Sequence, residues 1–223
     1  MVAENISKIR ASLPEDVTLV AVSKTKPVAD LMEAYGVGQR DFGENYPLEL
    51  RDKHSAMPPD VRWHFLGHIQ SKQIKYYIDF VSLIHGVDSA GHLADINAAA
   101  AKVGRVVDCL LEFHIATEAT KAGFTLPEAE QVLQNRSAYS NVRLRGVMGM
   151  ATNTDDHSLV SNEFANLKAI FNTLKNSYFN GVETFNVISM GMSHDYRLAV
   201  EAGSTMVRIG SSIFGPRVYA NKA

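Results

Sequence analysis

The sequence predicts an α/β fold: a single (β/α)₈ TIM barrel over residues 1–223, with an extra helix ahead of the first strand. Three observations predict it. Short, apolar, β-branched runs alternate with helical patterns from end to end, and eight such units follow one another. Parallel neighbours cannot be joined by tight turns, so this alternation implies crossover helices. No Pro/Ser-rich linker, charge block or fixed-period repeat divides the chain, and a barrel of about 250 residues would use all of its 223. An open doubly wound sheet is the other arrangement that eight units allow.

A leading helix covers residues 5–13. The first strand is 18–23 (TLVAVS), followed by a helix opening near Pro27, where proline suits the first turn and Gly36 and Gly38 suit the end. A short strand at 41–45 (DFGEN) leads into a helix over 47–54. The third strand is 63–67, with a helix after Ser71, and the fourth is 81–86. Its helix starts at Ser89 and runs through the alanine-rich stretch 98–101. The fifth strand, 106–115, is the longest, and a helix begins near Leu126 and Pro127. The sixth is 144–150 with a helix over 158–177, the seventh 184–189, and the eighth 205–209, with a helix over 195–202 between the last two.

The chain is 46% hydrophobic and 21% charged, enough to build a large core. Its 22 Lys+Arg against 24 Asp+Glu leave a net charge of −2, which gives no basis for a nucleic-acid binder or a polybasic membrane patch. No stretch approaches the roughly 18 uncharged apolar residues of a spanning helix, and MVAENISKIRASL lacks a signal peptide's apolar block. A lone cysteine, Cys109, excludes an internal disulfide framework. The expectation is a cytoplasmic globular protein that engages neither nucleic acid nor membrane.

In such barrels the chemistry sits at the C-terminal strand ends. Lys24 closes the apolar first strand, where burial lowers an amine's pKa and makes it nucleophilic toward a carbonyl; a lysine simply pointing to solvent is the plainer reading. SMGMSHDY (189–196) places Gly191 in a turn and Ser193 where it would cap the helix near Asp195, and RIGSSIFG (208–215) supplies Gly210, Ser211 and Ser212 in the loop after strand eight. Glycine-serine turns after strands seven and eight suit a phosphate, although each alone is ordinary turn chemistry. Arg208 lies near the end of strand eight and faces either a ligand in the lumen or a carboxylate among the helices. Strands one and eight adjoin in a closed barrel. A phosphorylated aldehyde, of which pyridoxal phosphate is the commonest in proteins, would satisfy the lysine, the turns and the arginine together.

These residues carry a resemblance. LVAVSKTKPV (19–28), GQRDFGENY (38–46), WHFLGHIQSKQIK (63–75), ISMGMSHDYRLAVEAGSTMVRIGSSIFGPR (188–217) and, more loosely, KAGF (121–124) resemble the pyridoxal phosphate homeostasis proteins, a group similar to the N-terminal barrel of alanine racemase. The resemblance implies a fold-type III barrel with pyridoxal 5′-phosphate held as a Schiff base on Lys24. It implies phosphate contacts from Ser193, Gly210 and Ser211, Arg208 against the pyridine nitrogen, Asn45 lining the cofactor, and Ser189 and Met148 as further pocket residues. Gln73 and the stretch 114–120 (HIATEAT) depart from the pattern and touch the rim of the pocket.

The implied role is to bind and buffer pyridoxal phosphate and hand it to apo-enzymes that use it. An arginine at the ring nitrogen weakens the ring as an electron sink. The tyrosine that alanine-racemase-like enzymes take from a second domain has no counterpart expected here beyond Tyr46, Tyr196 and Tyr219. A small racemase or decarboxylase is the alternative, and a lysine-dependent aldolase or a pure cofactor sensor are further ones. His64 and His68 read as pocket rim or satisfied core rather than as a metal pair, since no acidic ligand stands near them in sequence. Cys109 reads as core.

Overall fold

The computed structural model describes residues 1–117 and 122–216. The chain opens with α1 (Val2–Ala11) and then alternates β1 (Thr18–Val22), α2 (Val28–Gly36), β2 (Asp41–Glu44), α3 (Pro47–Ala56) and β3 (Arg62–Phe65). A 3₁₀ helix (Ser71–Tyr76) precedes β4 (Leu83–Val87), α4 (Ala90–Lys102), β5 (Val107–Phe113) and α5 (Leu126–Gln134). The last units are β6 (Val142–Gly149), α6 (His157–Tyr178), β7 (Val187–Ser189), α7 (Tyr196–Glu201), β8 (Met206–Ile209) and α8 (Ser211–Phe214). Each strand pairs with the next and β8 pairs with β1 in parallel, so the sheet closes in sequence order. The open doubly wound alternative is thereby excluded.

Local chemistry accounts for the helix ends. Thr125 and Glu128 form a reciprocal capping box at the start of α5, and Asp156 accepts from the amides of Ser158 and Leu159 at the start of α6. α1 buries Val2, Ile6 and Ile9, which share one helical face, and Asn5 ties it to the carbonyl of Ile213 at 2.9 Å.

Three expectations are corrected. α1 begins three residues earlier than the pattern suggested, because Val2 belongs to the buried face. The segment after Ser71 is a 3₁₀ helix, since its turn is tied by a bond from the Tyr77 amide to Ile74 at 3.1 Å, with Ile74 and Tyr77 both buried. Ser211 and Ser212 open α8 rather than lying in a loop.

The barrel packs two apolar regions. Most buried residues fill the layer between strands and helices. A separate cluster of Val20, Leu83, Leu110, Met148 and Met206, drawn from five strands, plugs the lumen. Side chains two apart share a strand face, so Leu83 sets His85 facing the lumen, Leu110 sets Glu112, and Met206 sets Arg208. Cys109, one residue out of phase with Leu110, is buried in the outer layer, where burial pushes its thiol pKa up.

Candidate functional site

At the C-terminal ends of the strands a cavity of about 340 Å³ opens. Seven of the residues singled out in the sequence line it: Lys24, Asn45, Met148, Ser193, Arg208, Gly210 and Ser211. Met148, Met150 and Met192 supply apolar wall.

The turn that carries Lys24 is clamped on both sides. The ammonium of Lys53, on α3, donates to the Ser23 carbonyl, to Glu44 and to Glu49, each at 2.7 Å. Ser23 donates its hydroxyl to Glu44 at 2.6 Å, and the Thr25 amide donates to Glu49 at 2.7 Å. Thr25 has a φ of 63°, the one positive value outside glycine among the described residues. That conformation costs a β-branched residue roughly 1–2 kcal/mol, and the Glu49 bond helps hold it. Burial raises the pKa of the Glu44 carboxyl while Lys53 and Ser23 oppose the rise. Lys26, two residues on, commits its ammonium to the carbonyls of Phe214 (2.7 Å) and Pro216 (2.9 Å), tying the β1 loop to the end of α8.

Across the cavity the two glycine-serine turns meet at one atom. Ser193 Oγ accepts from the amides of Gly210 (3.3 Å) and Ser212 (3.4 Å). The expectation that Ser193 caps α7 is corrected: Asp195 occupies the N-cap position without a side-chain cap bond to the helix, its carboxylate instead receives the Met192 amide at 2.5 Å, and the Ser193 hydroxyl turns to the amides that follow strand eight. Gly191 makes the turn possible, with a φ of 97° and room for no side chain, since a Cβ there would lie 2.6 Å from the Cβ of Ala199. At Gly210 a Cβ would stand 3.1 Å from the carbonyl oxygen of Val22, narrowing the same corner.

Arg208 is buried at the cavity floor. Its Nη1 donates to the carbonyl and the hydroxyl of Ser189, both at 2.7 Å, and Nη2 donates to the carbonyl of Gly149 at 3.2 Å. Burial lowers its pKa to about 10, against the pull of Glu112 and Asp195, so it stays charged near neutrality. Ser189 does not line the cavity. It is fully buried beneath Arg208, and its hydroxyl is shared between that guanidinium and His85 at 3.1 Å. Asn45 brings a buried Oδ1 without a hydrogen-bond partner, a polar atom that a bound polar group would satisfy.

Among the tyrosines considered, Tyr46 is exposed beside Asn45, and Tyr196 bonds Ser12 at 3.0 Å. Tyr219 lies outside the described residues. His64 is buried and bonded to Asp41 and His85, whereas His68 is exposed, 3.9 Å from Asp88.

One group escaped the sequence reading, Glu112, and another, His85, closes the fourth strand without a role assigned to it there. Glu112 is buried on β5 with its pKa raised to about 7, mainly by burial and then by Asp88, with Arg208 opposing. His85 is fully buried on β4. The available signal was an ionisable residue inside an otherwise apolar strand.

Comparison with known proteins places this geometry. The family described as alanine racemase, N-terminal domain, matches residues 1–218. A pyridoxal phosphate homeostasis protein of Vibrio alginolyticus is 39% identical over 212 residues, covering 93% of this chain and 89% of that one. Its namesake in Escherichia coli K12 is 31% identical over 235 residues, covering 99% of each. The chain belongs to the pyridoxal phosphate homeostasis protein family. Solved structures agree: the family member PipY of Synechococcus elongatus is 32% identical over 96% of this chain and 100% of its own, with a TM-score of 0.91 without pyridoxal phosphate and 0.87 with it bound. An alanine racemase of E. faecalis, 18% identical with a TM-score of 0.75, shares the barrel, and this chain covers 59% of its length.

Proposed function

We propose that the protein binds pyridoxal 5′-phosphate in the cavity at the C-terminal strand ends, held as a Schiff base on Lys24, and that it serves cofactor homeostasis by storing the reactive aldehyde and releasing it to apo-enzymes. The observation that carries this is the convergence on one cavity of Lys24, the two turns carrying Ser193 and Gly210–Ser211, and a charged Arg208. PipY, a relative of the same fold, has been solved with pyridoxal phosphate bound.

The residues present fit such a group. Ser193, Gly210 and Ser211 supply a hydroxyl and amides for a phosphate, the unpartnered Oδ1 of Asn45 awaits a polar neighbour, and the methionines give apolar wall. When bound, the cofactor supplies an aldehyde carbon that an amine can attack. Lys24 provides that amine from a clamped turn, while Lys26 is occupied by two carbonyls. Arg208, donating only, suits an unprotonated ring nitrogen. Ser189 acts through Arg208 rather than by touching the cofactor. The functional unit is the whole of residues 1–223, working in the cytoplasm.

One observation favours a second reading. The Glu112 carboxyl, with a pKa of about 7, has the proton affinity of a general acid or base, as a small amino-acid racemase or decarboxylase would need. Two assays on the loaded protein separate the readings. A carrier restores activity to an apo-enzyme that requires pyridoxal phosphate and leaves added amino acids unchanged. Multiple turnover of an amino acid would replace the carrier reading with the enzymatic one.

A further inference from the structure

Beneath the cavity, hydrogen bonds run through the lumen from Arg208 to the opposite rim. Arg208 Nη1 meets Ser189 Oγ at 2.7 Å, and Ser189 Oγ meets His85 Nδ1 at 3.1 Å. His85 Nε2 meets His64 Nδ1 at 2.9 Å, and His64 Nε2 meets Asp41 Oδ1 at 3.0 Å. The step from His85 on β4 to Ser189 on β7 joins strands that are not neighbours in the closed sheet. Asp41 is in turn held by Arg62 through bonds of 2.8 and 2.5 Å. Every member from Asp41 to Arg208 is buried.

The chemistry of the two ends fixes every proton between them. A guanidinium only donates, and an ionised carboxylate only accepts. Asp41 therefore takes a proton-bearing Nε2 from His64. Neutral His64 then accepts at Nδ1, so His85 donates from Nε2 and accepts at Nδ1, and the Ser189 hydroxyl donates to His85 while accepting from Arg208. All donors point one way and none is left over. An extra proton on the histidine pair would turn His85 Nδ1 into a donor and leave the Ser189 hydroxyl hydrogen without its acceptor. Burial above all pushes the His85 pKa well down, in keeping with a neutral ring.

We infer that Ser189, His85, His64 and Asp41 form a one-way hydrogen-bond chain that positions Arg208 for its ligand and links its charge to a carboxylate at the far rim. This role for Arg208 rests on the cofactor reading above; the chain itself does not. Among the described residues the hydrogen bonds of Arg208 go to neutral oxygens, and none of them is a carboxylate. The other charged groups acting on it are Glu112 and Asp195, neither of them bonded to it. His85 and His64 are thus positioning residues.

Two measurements test this. Nitrogen NMR of the histidines in the full chain without cofactor should find a proton on Nε2 of both His64 and His85, with His85 neutral between pH 5.5 and 8. A proton on Nδ1 of either ring, or titration of His85 in that range, overturns the chain whatever the protein binds. Titration with pyridoxal phosphate should then show His85→Phe binding about tenfold more weakly, the cost of one unsatisfied buried partner. His85→Gln, whose amide both donates and accepts, should recover most of that loss. Unchanged affinity in a folded His85→Phe overturns the positioning role. Failure of the unsubstituted protein to bind overturns the cofactor reading, and with it Arg208's role, while the NMR result still decides the chain.

Discussion

At the N-terminal rim of the barrel Asp41 is clasped by Arg62, and Asp108 by both Arg143 and Arg145 at 2.6 Å. At the C-terminal rim Arg208 faces the cavity without a bonded carboxylate, and Asn45 keeps an unpartnered oxygen. Paired charges at one end hold strands in register, and polar groups with spare capacity at the other are what a ligand can use. The hydrogen-bond chain from Asp41 makes the division incomplete, because one of the two lower carboxylates is wired to the upper site and the other is not.

The largest effect should come from the upper rim. Lys24→Ala should weaken pyridoxal phosphate binding by about a thousandfold or more, given that a covalent link is lost, with the melting temperature of the unloaded protein nearly unchanged. An equally large loss of stability would break the comparison by showing that the upper rim also holds the fold.

Glu112 should respond to pH in the sense its burial dictates. Its folded pKa, raised to about 7 from 4.5, means that stability falls as pH rises from the lower value through the upper. Glu112→Gln should therefore gain up to about 3 kcal/mol over the parent at pH 8 and little at pH 5, as read by denaturant unfolding. A gain independent of pH would contradict a charge-burial cost.

The two lower carboxylates sharpen the comparison further. Asp41 is held at a pKa of about 2, below its usual 3.8, by His64 and Arg62 against the cost of burial. The stabilisation is present above 3.8 and is lost as pH falls through about 2. Asp41→Asn should cost about 2 kcal/mol at pH 7, with the gap closing in acid, and should weaken cofactor binding as well. Asp108→Asn should cost about 1 kcal/mol and leave cofactor affinity alone. Equal effects of the two on binding would show that the wiring of Asp41 carries nothing.

Much of the fold was legible because strands buried on both faces read as near-continuous apolar runs, and β1 (TLVAV) is such a run. Lys24, Arg208 and the glycine-serine turns were legible as chemistry out of place at strand ends. Ser193 was misread because its partners, the amides of Gly210 and Ser212, lie 17 and 19 residues away and meet it only when β7 and β8 pair. Ser189 and His85 are separated by 104 residues, so no local pattern announces their bond. The segment after Ser71 reads as a helix in the sequence, but its 3₁₀ type does not, because six residues are too few for helical periodicity to declare a type.

Everything proposed for the upper rim depends on Lys24 being the amine that holds the cofactor. Incubation of the purified protein with pyridoxal phosphate, reduction with borohydride and peptide mapping by mass spectrometry test it directly. A single pyridoxyl adduct on Lys24 is expected, with Lys26 unmodified. An adduct confined to Lys26 or elsewhere, or none at all, would contradict it.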